Sequence, residues 1–244
     1  MESIEDNDIV IQPRKGKNEK AIPENGLLLV NPTEAHPRID KKISAGAESR
    51  FLFNSKLCVA DGSAYFMAGP AIGSPMAAMS LEKLIVLGAK RIILCGWCGA
   101  IDSSLKVGDI IIPDSGLIGE GTSAYYNDSA RSYPSSVFSS QLVELFTAEG
   151  HAVSRGCVWS TDGVYRENRK YLKELSAKER VVAVDMEYSA LCSVAGFRGI
   201  DFSAVLIVSD EIWGESWKPG FSSKHFHKVK DAVLLMLQNN VSNF

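Results

Sequence analysis

The sequence predicts an α/β fold with a largely parallel sheet, and three features of the chain point to it. Short apolar bursts closed by turn signals recur along the chain, as buried strands do. Segments of helix length alternate with those bursts, which is the pattern of strand–helix–strand units. The composition of the 244 residues, 45% hydrophobic and 23% charged, is that of an ordinary globular domain. A chain of this length buries roughly 70% of its unfolded surface and needs neither disulfide nor metal to hold a core.

The elements follow in order. Met1 to Asn25 is charged and has no hydrophobic period, so residues 1–25 are expected as a loosely ordered arm. Gly26 to Val30 is an apolar burst closed by Asn31-Pro32, which predicts a buried strand followed by a turn over Asn31 to Arg38. Leu57 to Asp61 and Ala64 to Ala68 flank Asp61-Gly62 and predict a hairpin. A helix is expected over Ser74 to Leu87, with Gly88 at its carboxyl end. Arg91 to Cys95 reads as a strand running into a glycine loop, Gly96 to Ala100, and Val107 to Pro113 as a strand stopped by proline.

The second half repeats the alternation. A helix near Ser136 to Glu149 precedes a strand near Ala152 to Ser160, and a polar loop follows from Thr161 to Glu167. Val181 to Val184 predicts a strand, Asp185 to Phe197 a helix, and Ser203 to Val208 a further strand. An amphipathic helix is expected from Ser222 to Leu237. With no repeat or linker after the arm, residues 26–244 are expected as a single domain.

Charge and cysteine usage exclude several function classes. Lys and Arg number 26 against 29 Asp and Glu, a net charge of -3, which argues against non-specific nucleic-acid binding. No apolar run reaches the ~18 residues of a membrane span. Five cysteines fit packing thiols in a reducing compartment, and the polar start MESIEDNDIV does not read as a secretory leader, so a cytoplasmic location is expected. Cys95-x-x-Cys98 lacks the second pair of a zinc site, and His225-x-His227 points to two faces of a helix. Neither metal nor organic cofactor is implied.

In open α/β sheets a ligand lies beyond the carboxyl ends of the strands. Asn31 to Arg38, Gly96 to Ala100, Ser160 to Glu167, Ser209 to Trp213 and the helix start Asp185-Met186-Glu187 all occupy such places. Four ordered pieces then carry a resemblance. They are Gly69-x-x-x-Gly73 with Leu87-Gly88-Ala89 and Cys95-Gly96-Trp97-Cys98-Gly99-Ala100; Ser160 to Tyr165; Val184-Asp185-Met186-Glu187; and Val208-Ser209-Asp210-Glu211. Together, over roughly Leu27 to Lys230, they resemble the purine nucleoside and uridine phosphorylase family, which also contains nucleoside hydrolases.

The resemblance implies a three-layer α/β/α domain whose central sheet is mixed and partly barrel-like. It implies cleavage of a nucleoside's N-glycosidic bond, with purine favoured over uridine, by phosphorolysis to free base and ribose 1-phosphate. The alternative is a phosphate-independent hydrolase or a non-catalytic nucleoside-binding member. Glu187 would hold the ribose hydroxyls, Met186 would pack on the ribose, and Asp185 stands where a glutamate is usual. Asp210 would be the catalytic group that supplies a proton or hydrogen bond to purine N7, helped by Lys218 or Lys224. Trp159 and Tyr165 would line the base pocket, with Asn168 and Lys170 near the positions that read a pyrimidine edge.

The phosphate side departs from the family pattern. In the loop around Gly96, Leu94 stands where an arginine is expected and Trp97 where a hydroxyl is expected. Arg38 and Arg50 are the remaining candidates for phosphate, Arg50 at the place of an arginine lent by a neighbouring subunit. Glu34 lies near the place of a nucleosidase's catalytic glutamate. The implied partners are a nucleoside, inorganic phosphate and further copies of the chain in a dimer or hexamer, with neither nucleic acid nor membrane.

Overall fold

The computed structural model describes residues 9–59, 62 and 64–244. Its strands are β1 (Asn25–Leu29), β2 (Glu48–Leu52), β3 (Ser55–Val59), β4 (Tyr65–Gly69), β5 (Arg91–Ala100), β6 (Ile110–Ile111) and β7 (Ser115–Gly119). They continue with β8 (Arg131–Ser132), β9 (Val153–Ser154), β10 (Cys157–Thr161), β11 (Val181–Asp185), β12 (Asp201–Glu211) and β13 (Lys218–Pro219). The helices are α1 (Pro32–Ser44), α2 (Ser74–Leu87), α3 (Ser136–Ala148), α4 (Arg169–Glu179), α5 (Tyr188–Arg198) and α6 (Lys224–Asn240).

All thirteen strands belong to one sheet, and the sheet is mixed. Parallel pairing joins β4, β1, β5 and β12 into one group and β7, β10 and β11 into another. The groups meet antiparallel where β11 pairs with the last residues of β5. The largely parallel sheet expected from strand–helix alternation is therefore corrected by that reversal and by the antiparallel run β2–β3–β4. β12 also pairs with β6, and β6 with β9, which curls the sheet toward a barrel.

Side chains alternate across the central strands because successive Cβ atoms point to opposite faces. Leu28, Ile92, Leu94, Ala204 and Leu206 pack with α2 and α5 on one face. Leu27, Leu29, Ile93, Val205 and Ile207 pack with α1, α3 and α6 on the other. α4 covers a smaller cluster against β10 and β11. The result is the three-layer α/β/α arrangement. No helix among the described residues is long and apolar enough to cross a membrane.

Several boundaries differ from the expected ones. The turn predicted over Asn31 to Arg38 is helix α1. Asn31 is extended ahead of it, Pro32 opens it, and Ala35 and Ile39 bury one face at helical spacing. The glycine loop predicted at Gly96 is strand, because β12 pairs with β5 through Ala100. The strand expected over Val107 to Pro113 shrinks to Ile110–Ile111. β2, β7, β8, β13 and α4 have no counterpart among the predicted elements. β3 and β4 pair antiparallel as the hairpin expectation requires, while Asp61 at its tip and residues 1–8 of the arm lie outside the described residues. Ahead of β1, Ile22 is buried and its N–H donates to the Leu87 carbonyl, and Lys83 bridges to Glu19 and the Arg14 carbonyl.

Candidate active site

The sheet forks at its centre. β5 pairs with β1 through Cys95 and then with β11 at Gly99 and Ala100, so a gap opens beyond the end of β1. A cavity of about 540 Å³ occupies that gap, at the switch point where open α/β sheets bind ligands. Asn31, Trp97 and Gly99 line it from the ends of β1 and β5. Val184 to Glu187 line it from the β11–α5 junction, and Ser209, Asp210 and Ile212 from the end of β12.

The β11–α5 junction is built around Asp185. This buried carboxylate accepts from the Ser160 hydroxyl at 2.5 Å and from the N–H groups of Glu187 and Tyr188 at 3.1 and 2.7 Å. It thus closes the otherwise unpaired start of α5. Glu187 comes next and is buried, with Oε1 2.6 Å from the N–H of Gly73. Gly73 has φ 82, a left-handed value that glycine tolerates, and it aims this N–H into the site from the start of α2. Burial and the charge of Asp185 raise the Glu187 pKa well above the usual carboxylate range. Burial also raises Asp185, against the lowering effect of its three hydrogen bonds.

Asp210 reaches the cavity through a bulge. In the β12–β5 register Val208 faces Cys98 and Asp210 faces Gly99, so Ser209 is the extra residue that turns the carboxylate inward. A Cβ on Gly99 would lie 3.4 Å from Asp210 Oδ2, so the absent side chain leaves space for the carboxylate. The Ser209 hydroxyl stands 2.7 Å from Oδ1, and the Trp217 indole N–H donates to Oδ2 at 2.7 Å. Trp217 and Phe221 belong to the strap between β12 and α6, where Phe221 packs against Trp97 at 5.9 Å.

The other predicted site residues divide clearly. Met186, Trp97 and Tyr165 line the cavity, although the Tyr165 side chain is almost fully exposed. Trp159 does not line it. Its indole packs over Gly119, where a Cβ would come within 1.9 Å, and stands edge-on to Tyr171. Gly96 is covered by Val30, 2.8 Å from where its Cβ would be. Asn168 caps α4, its side-chain oxygen accepting from the N–H groups of Lys170 and Tyr171. Lys170 is likewise outside the lining, and so are Lys224 and Lys218, whose Nζ is 3.7 Å from Glu211.

The residues expected on the phosphate side also lie elsewhere in this chain. Glu34 is buried in an ion cluster, 2.7 Å from Lys230 and 2.9 Å from Arg38, which also binds Asp231 at 2.6 Å. Arg50 is on β2, paired with Glu48 and donating to the Lys20 carbonyl. Leu94 is fully buried in the core. The cavity therefore carries four carboxyl groups, Glu167, Asp185, Glu187 and Asp210, and one cation, Arg169, which binds Glu215.

The sequence places Glu167 only as the last residue of the strand-end loop Ser160 to Glu167 and assigns it no role. It follows the short 3-10 turn after β10, and burial together with the Asp210 charge pushes its pKa up to about 7. Phe221 and Trp217 were missed as well. Their signal was available as two aromatic residues in the otherwise polar stretch from Gly214 to Ser223.

Comparison with known proteins agrees with this architecture. Residues 24–234 match the model of the phosphorylase superfamily. The guanosine phosphorylase of Halorubrum lacusprofundi is 27% identical over 177 residues, 71% of this chain and 72% of that one. A DeoD-type purine nucleoside phosphorylase of Bacillus cereus is 31% identical over 155 residues, 62% of this chain and 66% of its own. The Toxoplasma gondii purine nucleoside phosphorylase shares the fold with a TM-score of 0.77 at 18% identity, over 91% of each chain. The AMP nucleosidase of Bacteroides thetaiotaomicron shares it at 0.69 and 22% identity, over 89% of this chain and 91% of that one. With the matched region running from the start of β1 into α6, the chain belongs to the phosphorylase superfamily, whose members include nucleoside phosphorylases.

Proposed function

We propose that this cavity binds a purine nucleoside and cleaves its N-glycosidic bond. The observation that carries the reading is that Glu187 and Asp210 line one cavity. Glu187 meets the ribose hydroxyls beside Met186, and Asp210 meets the base. As the bond from C1′ to N9 breaks, its electron pair passes to the purine. A proton or strong hydrogen bond at N7 then stabilises the departing anion. Burial and the Asp210 charge raise the Glu167 pKa to about 7, so Glu167 can hold a proton near neutral pH beside Asp210. Trp97 and Phe221 form an aromatic wall against which the ligand packs.

Phosphate is the proposed nucleophile, giving free base and ribose 1-phosphate, and the similarity to guanosine and purine nucleoside phosphorylases supports it. A dianion beside four carboxyl groups needs further cations. A second copy of the chain supplies them in this reading, with Arg50 as the donor. Water as nucleophile is the second reading, favoured because Trp97 fills the wall and Leu94 is buried where an arginine is expected.

The test is base release from guanosine, inosine, adenosine and uridine across a phosphate titration. Phosphorolysis predicts a purine rate that rises with phosphate and yields ribose 1-phosphate. Free ribose at a phosphate-independent rate selects water, and turnover confined to uridine removes the purine reading.

A further inference from the structure

We infer that a nucleoside monophosphate binds in a second, arginine-lined pocket, at the opposite end of the sheet from the active cavity. Arg155 and Arg180 take its phosphate, and the Tyr133 ring takes its base. Such a site is independent of the proposed reaction and of the cavity that carries it.

The pocket has a volume of about 520 Å³ and lies at the amino ends of β7, β10 and β11. Val182 lines it, whereas Asp185, three residues on along β11, lines the active cavity, so roughly 10 Å of strand separates the two. Arg131 on β8 fixes one wall. Its guanidinium donates to the Glu179 carboxylate at 2.7 Å and to the Glu179 carbonyl at 3.0 Å, and stands 2.9 Å from Cys157 Sγ. Glu179 is thereby neutralised. Asp114, the other carboxylate in the lining, accepts from the Ser115 hydroxyl at 3.0 Å. Arg155 and Arg180 line the same pocket with neither hydrogen-bond nor ion-pair partner among the described residues. Each presents a planar fork of N–H donors that matches the oxygens of a phosphate. Within one chain an anion is drawn here rather than to the active cavity, whose four carboxyl groups stand beside a single, paired cation.

Arg180 carries a second sign of use. It ends α4 at φ 56, a left-handed value that suits glycine and costs other residues energy. Attraction of a cation to the carboxyl end of the helix does not require it, because Lys178 already supplies one in the last turn. An arginine held at a strained position is retained for its side chain, and that side chain lines the pocket. Tyr133 follows β8 and leaves 63% of its surface exposed at the pocket, a ring on which a base can stack. Every base has such a face, so the site selects for the phosphate and tolerates any base.

Calorimetric titration of the full chain with guanosine 5′-monophosphate and with inorganic phosphate tests the assignment. Arg155→Ala combined with Arg180→Ala is expected to weaken binding of the nucleotide ~10–100-fold, since each removes charge-assisted hydrogen bonds from an exposed side chain. Tyr133→Ala is expected to weaken the nucleotide about 5–10-fold and to leave inorganic phosphate unchanged. Arg180→Gly relieves the left-handed backbone, so its melting temperature is expected to rise while nucleotide affinity falls. Glu187→Gln, altered in the active cavity, is expected to bind the nucleotide as the native protein does. Native protein that does not bind the nucleotide, or binds it no more tightly than inorganic phosphate, would overturn the inference. Equal binding by the double arginine variant would do the same, and loss of binding in Glu187→Gln would move the nucleotide to the active cavity and remove the second site.

Discussion

Asp185 and Glu187 stand two residues apart at one strand–helix junction and are used in opposite ways. Asp185 spends both oxygens on the protein, holding Ser160 and the first turn of α5, whereas Glu187 gives one oxygen to Gly73 and keeps a face toward the cavity. The difference has a consequence for pH. Glu187 titrates above its ordinary value of 4.5, so the native state binds more protons than the unfolded chain between the two values. The stability this gives is full below about pH 4.5 and is lost as the pH rises through the folded-state value. Glu187→Gln removes that titration. Its melting temperature is expected to change less than that of the native protein between about pH 5 and about pH 9. Calorimetric scans at the two ends check this, and parallel slopes would contradict it.

At the scale of elements, the short turn from Val164 to Arg166 and helix α4 decide which side chains reach the cavity. Sequence spacing suggests Asn168 and Lys170 as edge readers, but the helix begins at Arg169 and requires a cap. Asn168 meets that need by accepting two backbone N–H groups, which leaves Glu167 and Arg169 facing the cavity. Asn168→Ala is therefore expected to lower stability by about 1 kcal/mol while leaving the guanosine-to-adenosine ratio unchanged. Denaturant unfolding and paired kcat/KM measurements read the two effects separately, and a shifted ratio with intact stability would return Asn168 to the base pocket.

Across the whole molecule, the ion cluster of Glu34, Arg38, Lys230 and Asp231 ties α1 to α6 on the face opposite α2 and α5. Glu34 and Lys230 are both buried, so removing Lys230 leaves the Glu34 carboxylate in the interior with Arg38 as its remaining partner. Lys230→Met is expected to cost about 1.5–3 kcal/mol, because Arg38 still pairs with Glu34, with the kcat of the folded fraction close to native. A large fall in kcat at unchanged melting temperature would show instead that the cluster acts in the reaction. None of these four residues lines the cavity. Glu34 and Arg38 follow β1 in sequence, as a strand-end site would, but α1 turns them toward Lys230 and Asp231 on α6.

How much the sequence discloses follows from how local each determinant is. The strands Leu27–Leu29 and Ile92–Leu94 and helix α2 were legible because apolar period and a closing glycine or proline act over a few residues. Val184 to Glu187 and Ser209-Asp210 were legible as motifs because each sits at one strand end, and the cavity does form where those ends meet. Three matters were decided only by the tertiary structure. α1 replaced a turn because burial of Ala35 and Ile39 outweighed Pro37 inside the helix, and β5 ran through its glycines because β12 paired along its length. Asn168 was drawn off to cap α4 while Glu167 kept a place in the cavity lining, and the withdrawal of Glu34 and Arg38 into an ion cluster depends on α6, distant in the chain. The sequence by itself determined the layers and the strand ends. Packing decided which side chains at those ends remain free to meet a ligand, because a carboxylate or amide is available only when no other part of the fold has claimed it.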